Sequence, residues 1–93
     1  MSLPVLKLDA NGDPLPCQIF FQDGFYWLLT KQRKSEALGA NPRCATFVGA
    51  RAYWENKIAR LRVDPNLSDR NRVKREEHAQ GVINKLIECG AGE

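Results

Sequence analysis

The stretch from Cys17 to Thr30 limits the possible folds most sharply. Gln18-Ile19-Phe20-Phe21-Gln22 and Phe25-Tyr26-Trp27-Leu28-Leu29 are two aromatic-rich runs separated by Asp23-Gly24. Aromatic residues favour a pleated, half-buried surface, and Asp-Gly suits the two positive φ angles of a tight hairpin turn. A two-residue turn sets the pairing: Phe20 opposite Trp27, Phe21 opposite Tyr26, Ile19 opposite Leu28. Side chains alternate along a strand, so Phe20, Phe25, Trp27 and Leu29 share one face, and Ile19, Phe21, Tyr26 and Leu28 the other. Both faces are apolar, whereas a surface hairpin needs only one. Either the hairpin is sandwiched or one aromatic face is left for a partner. A small domain needs nearly all its large apolar side chains inside, so these aromatics are expected in the core. The alternative is a stacking platform for single-stranded nucleic acid.

On the N-terminal side, Val5-Leu6-Lys7-Leu8 alternates and is followed by Asn11-Gly12, which predicts a second, smaller hairpin. Its returning arm holds Pro14 and Pro16, neither of which can donate a ladder hydrogen bond, so that arm is an edge or irregular stretch. Lys31 to Asn41 has the composition of a polar, basic connection.

Two helices are predicted after it. Asn41-Pro42 supplies a cap and a proline at the first helical position, and Asp64-Pro65 a stop, which gives a helix to about Val63. It carries two apolar stripes: Phe47, Ala50, Trp54, Ile58 and Leu61, and nearly opposite them Ala45, Val48, Ala52, Ala59 and Val63. A helix apolar on two sides is expected to be central, between sheet and helix. Ser68 or Asp69 then caps a second helix to about Cys89, with Gly90 just past its end and Ala79, Val82, Ile83, Leu86 and Ile87 as its apolar stripe. Strands first and helices after predict an α+β fold, with N-terminal antiparallel β-hairpins packed on two C-terminal helices. With 93 residues and no internal repeat or linker, 1–93 is expected to form one compact domain. No apolar run is long enough to span a membrane, and Met1-Ser2-Leu3-Pro4 lacks the basic start and apolar stretch of a secretory signal. A cytoplasmic protein is therefore expected.

Charge is distributed unevenly. The net charge of +3 resolves into −2 over residues 1–30, +8 over residues 31–75 and −3 over residues 76–93. A positive field concentrated in this way steers polyanions or acidic protein surfaces. Its densest point is Arg70, Arg72, Lys74 and Arg75, at the start of the second helix. On a helix, Arg72 and Arg75 lie in line with the stripe that Ala79, Val82 and Leu86 continue, while Arg70 and Lys74 lie on the far side. Cations at a helix N-terminus oppose the macrodipole by about 0.3–1 kcal/mol each. Pairs such as Arg72–Glu76 offset part of that. Arg51, Lys57, Arg60 and Arg62 on the first helix, with Lys31, Arg33 and Lys34 before it, are candidates to extend the patch, the main contacts of that helix being expected from Arg51, Arg60 and Arg62. The plain alternative is a solvated helix end whose long side chains lie over apolar neighbours.

Catalytic chemistry has little to stand on. His78 is the single histidine, and adjacent Glu76 and Glu77 point about 100° apart, so they cannot act as a carboxylate pair on one bond. Gly12, Gly24 and Gly39 are isolated turn glycines and form no phosphate loop. Asp9-Ala10-Asn11-Gly12-Asp13 begins like a calcium loop, yet Gly12 falls at its fourth place and Phe20 at its twelfth. Cys17, Cys44 and Cys89 are odd in number and widely spaced, so they cannot form a complete disulfide framework, and structural or incidental thiols are expected. A zinc site with His78 lacks the usual close ligand pair. The expectation is a non-enzymatic protein without metal, cofactor or small-molecule substrate, binding nucleic acid or a nucleoprotein complex through its arginines. The alternative is a protein-binding inhibitor or adaptor, of the kind phages and mobile elements make, docking on a host DNA- or RNA-processing complex through arginine and aromatic anchors.

Overall fold

The computed structural model describes residues 6–91. Three antiparallel strands come first, β1 (Gln18–Gln22), β2 (Phe25–Leu29) and β3 (Ser35–Gly39), in sheet order β1-β2-β3. Two helices follow, α1 (Phe47–Arg62) and α2 (Asp69–Leu86), so the fold is α+β.

The β1–β2 hairpin forms in the expected register, with Phe20 paired to Trp27, Phe21 to Tyr26 and Ile19 to Leu28. Asp23 and Gly24 adopt φ of 55° and 82°, the paired positive angles that a turn matching the strands' twist requires. Around Asn11-Gly12 the smaller hairpin is reduced to one bridge, Leu8 to Pro14, and the Asp9 carboxylate accepts from the Asn11 and Asp13 N–H groups. Val5, assigned to that arm, lies outside the described residues.

Three expectations are corrected. The basic connection from Lys31 to Asn41 contains β3, which continues the sheet by pairing with β2. Leu38 is its one large apolar residue, and it is fully buried, so a single anchor marks a strand that patterning does not reveal. The register shifts where Tyr26 meets Gly39, whose φ of 124° only glycine adopts without strain. The first helix does not begin at Asn41. That residue caps a 3₁₀ turn, Pro42–Ala45, and the chain then re-enters a helix under a second cap, Thr46, whose hydroxyl accepts from the Gly49 N–H at 3.0 Å. Nor is α1 sandwiched. Sheet and α2 both pack on its large-residue side, through Ala50, Trp54 and Ile58, while Val48 and Val63 stay 69% and 77% exposed.

The core gathers Leu28 and Leu38 from the sheet, Cys44 from the 3₁₀ turn, that side of α1, and Ala79, Val82, Ile83 and Leu86 from α2. Two donors close onto one strand carbonyl: the Trp54 indole N–H at 3.1 Å and the Cys44 thiol at 3.4 Å both reach the Leu38 oxygen. Burial pushes the Cys44 thiol above its usual pKa range, and the Lys57 ammonium partly opposes it. The expectation that the hairpin aromatics are all internal fails at the turn: Phe21 and Phe25 remain 40% and 48% exposed. They lie at the turn end of the hairpin, and of its other aromatics only Tyr26 packs against the core, while Phe20 and Trp27 are half-buried.

Ser68 caps α2, and past Leu86 the helix widens into a π turn, Ile87–Ala91, with Gly90 at φ 115°. This brings Cys89 to the start of β1, where it is disulfide-bonded to Cys17 with Cα atoms 5.0 Å apart. The expectation of thiols is thus corrected at these two positions. A pairing across 72 residues depends on where the two ends of the fold meet, which cysteine spacing does not carry. The Lys85 ammonium donates to Glu36 at 2.9 Å and ties the same end of α2 to β3. Among the described residues, no helix is long and apolar enough to cross a membrane.

Candidate cationic groove between the helices

The candidate site runs along the helix pair, from the 3₁₀ turn past the middle of α1 to where the end of α1 meets the first turns of α2. Two hollows adjoin there. One, of about 280 Å³, is lined by Asn41, Arg43, Tyr53, Asn56, Lys57 and Arg60. The other, of about 410 Å³, is lined by Trp54, Lys57, Leu61, Lys74, Arg75, His78 and Ala79. Lys57 belongs to both and forms the wall between them. Five cations, Arg43, Lys57, Arg60, Lys74 and Arg75, thus face one groove, and neither lining contains a carboxylate. Among the described residues none of the five forms an ion pair.

Helical spacing explains the convergence. Lys57 stands three and four residues beyond Trp54 and Tyr53, one turn along the same face. Its ammonium lies 4.7 Å from the Trp54 ring centroid and 5.7 Å from that of Tyr53. Arg60 continues the face by a further turn. On α2, Lys74, Arg75 and His78 share the side next to α1, and the His78 ring sits 5.8 Å from Trp54 at an interplanar angle of 66°. Arg75 therefore occupies the apolar line of α2, and its stem reaches a hollow floored by Trp54, Leu61 and Ala79.

The other candidate residues go elsewhere. Arg72 pairs with Asp69 at 3.2 Å and with Glu76 at 3.4 Å, and Arg62 pairs with the same Glu76 at 2.8 Å. These two arginines form a bridge between α1 and α2, and their charge is already partnered. Arg51 pairs with Glu55 along α1 at 3.5 Å. Arg70 is exposed at the tip of α2, beyond the groove lining. Lys31, Arg33 and Lys34 lie in the β2–β3 turn, where Arg33 reaches Asp9 at 3.6 Å. That turn adjoins the end of α2 held by Lys85 and Glu36, and ten residues of helix, about 15 Å, separate Lys85 from Arg75. The +8 segment of the sequence is therefore divided between two ends of the molecule.

Arg43 is the groove cation that the sequence reasoning passed over, because it stands alone and outside any cluster, and Lys57 counts there among the cations of the first helix but not among the expected contacts. For Lys57 a signal existed in its spacing from Tyr53 and Trp54. For Arg43 there was none, since its place depends on the 3₁₀ turn. Among the described residues, no group of three or more His, Cys, Asp or Glu side chains is gathered at metal-ligating distances. Comparison with protein-family models, with curated protein sequences and with solved structures finds no match.

Proposed function

We propose that this protein is a non-enzymatic binding protein, and that its groove between α1 and α2 engages nucleic acid, alone or within a nucleoprotein complex. The observation that carries the reading is the meeting of Arg43, Lys57, Arg60, Lys74 and Arg75 around two adjoining hollows with no carboxylate in their lining. Like charges gathered along one groove repel, and among the described residues no carboxylate lines it to neutralise them. A phosphate chain supplies that neutralisation and releases its counterions. The guanidinium forks of Arg43, Arg60 and Arg75 suit phosphate oxygens, and Lys57 and Lys74 add point charges. A cytoplasmic location agrees with such a partner.

A second reading is a protein-binding inhibitor or adaptor docking on a host nucleic-acid-processing complex. Its support is the exposure of Phe21 and Phe25, large aromatic anchors at the hairpin turn and away from the groove.

Fluorescence anisotropy with labelled oligonucleotides separates the two. At roughly 50 mM salt the protein is expected to bind, with log K falling against log salt by about 0.7–0.9 for each phosphate contact. Arg60→Glu combined with Arg75→Glu should weaken binding at least about tenfold and flatten that slope. Lys31→Glu with Lys34→Glu, at the opposite end, should leave both unchanged. Absence of binding at low salt would sink the nucleic-acid reading. Recovery of one stoichiometric protein partner from nuclease-treated lysate would then favour the second.

A further inference from the structure

The two hollows of the groove differ in what they offer. The one at Arg43 and Arg60 is rimmed almost entirely by polar side chains, whereas the other has cations at its rim and carbon on its floor. The Trp54 indole N–H is committed to the Leu38 carbonyl, so the part of the ring that meets this hollow is carbon, continued by Leu61 and Ala79. Trp54 is only 6% exposed, yet its face is covered on the groove side by an exposed lysine ammonium at 4.7 Å and not by the core. A group that displaces Lys57 therefore finds an aromatic face beneath it.

A duplex cannot use such a floor. Its bases are stacked and paired inside, and it presents phosphates and groove edges to a protein surface. Single strands expose unstacked bases, which gain by stacking on aromatic and apolar surface while basic side chains hold the backbone on either side. At about 410 Å³ the hollow falls within the range of sites that enclose a small ligand, about 300–1,000 Å³.

We infer that this hollow receives one unstacked base of a single-stranded nucleic acid, seated on the Trp54 face that Lys57 covers and beside the His78 ring, with the flanking phosphates on Lys74 and Arg75. The inference rests on the nucleic-acid reading above and narrows it to single strands. As the base enters, Lys57 leaves the indole face and its ammonium turns to the backbone phosphate. The His78 ring closes the side of the seat and makes no bond in the process.

Three labelled probes of equal length test this against the unaltered protein at roughly 50 mM salt: a thymidine strand of about twelve nucleotides, the matching duplex, and an abasic strand with the same phosphates. The thymidine strand is expected to bind about tenfold or more tighter than either of the others. In a Trp27→Phe variant, which leaves Trp54 as the one indole, the thymidine strand should quench tryptophan emission and the abasic strand should not. His78→Ala, at an exposed position, should lower affinity for the thymidine strand several-fold and leave that for the abasic strand unchanged. Equal binding of all three probes, or binding without quenching, would overturn the base seat and leave a nucleic-acid binder that recognises phosphates alone. Failure of all three probes to bind would overturn both.

Discussion

Replacing Gly49 by alanine places a methyl carbon where the chain already is. A Cβ built on Gly49 would lie 2.1 Å from the Arg43 carbonyl oxygen and 2.8 Å from the Thr46 hydroxyl. Even the closest favourable carbon–oxygen contacts are about 3.3 Å, so the 3₁₀ turn must retreat by roughly 1 Å. The retreat disturbs two things. Crowding against a backbone carbonyl costs about 1–3 kcal/mol, and loss of the Thr46 cap, which accepts from the Gly49 N–H, costs about 1 kcal/mol more. The entropic gain from removing a helical glycine, about 0.5–1 kcal/mol, offsets only part of this. The expected net loss is about 1–3 kcal/mol. Gly81, in the middle of α2, gives the contrast, since its Cβ would meet nothing within 4 Å. There the same substitution is expected to stabilise by about 0.5–1 kcal/mol. In a domain of this size 1 kcal/mol moves the midpoint by about 4–8 °C, so the two variants should melt on opposite sides of the parent. Thermal melts followed by circular dichroism, with urea midpoints as a second measure, read the difference. A Gly49→Ala protein as stable as the parent would refute the account of the corner between the 3₁₀ turn and α1.

Two further outcomes follow from the cysteines. Closing a loop of 72 residues by the Cys17–Cys89 bond is worth roughly 4 kcal/mol in the chain-entropy model, so reduction, or Cys17→Ser with Cys89→Ser, should lower urea stability by about 2–4 kcal/mol. An unchanged midpoint would show that the bond is absent in solution. Cys44, whose thiol pKa is raised by burial, should resist alkylation in the native protein and react on unfolding. Because the unfolded thiol ionises first, stability should decline as pH rises above about 8.5, and Cys44→Ala should lessen that decline.

The features legible from sequence were those decided by neighbours along the chain. Asp23-Gly24 sets the hairpin register because a two-residue turn leaves no freedom, and Ser68 and Asp64-Pro65 mark helix ends by local geometry. What stayed hidden depends on distant partners. Ser35–Gly39 becomes a strand because β2 offers it an open edge, with Leu38 as its one anchor. Asn41-Pro42 is a real cap, but it serves a 3₁₀ turn, because Thr46 supplies a second cap five residues after Asn41. The arginine cluster was visible as composition. Which members face the groove was not, since Glu76 sits where it can neutralise Arg62 and Arg72 together and leaves Arg75 and Lys74 unpaired.

The disulfide also decides which way this molecule can be held. Lys7 is bonded through its backbone to the Gln18 side chain, next to Cys17, and Cys17 is joined to Cys89. Both described ends of the chain therefore leave from one corner, and from there α2 runs about 16 Å back to Arg75. A tether at that corner would hold the protein with the first turns of α2, where Lys74 and Arg75 stand, at the far end of the helix.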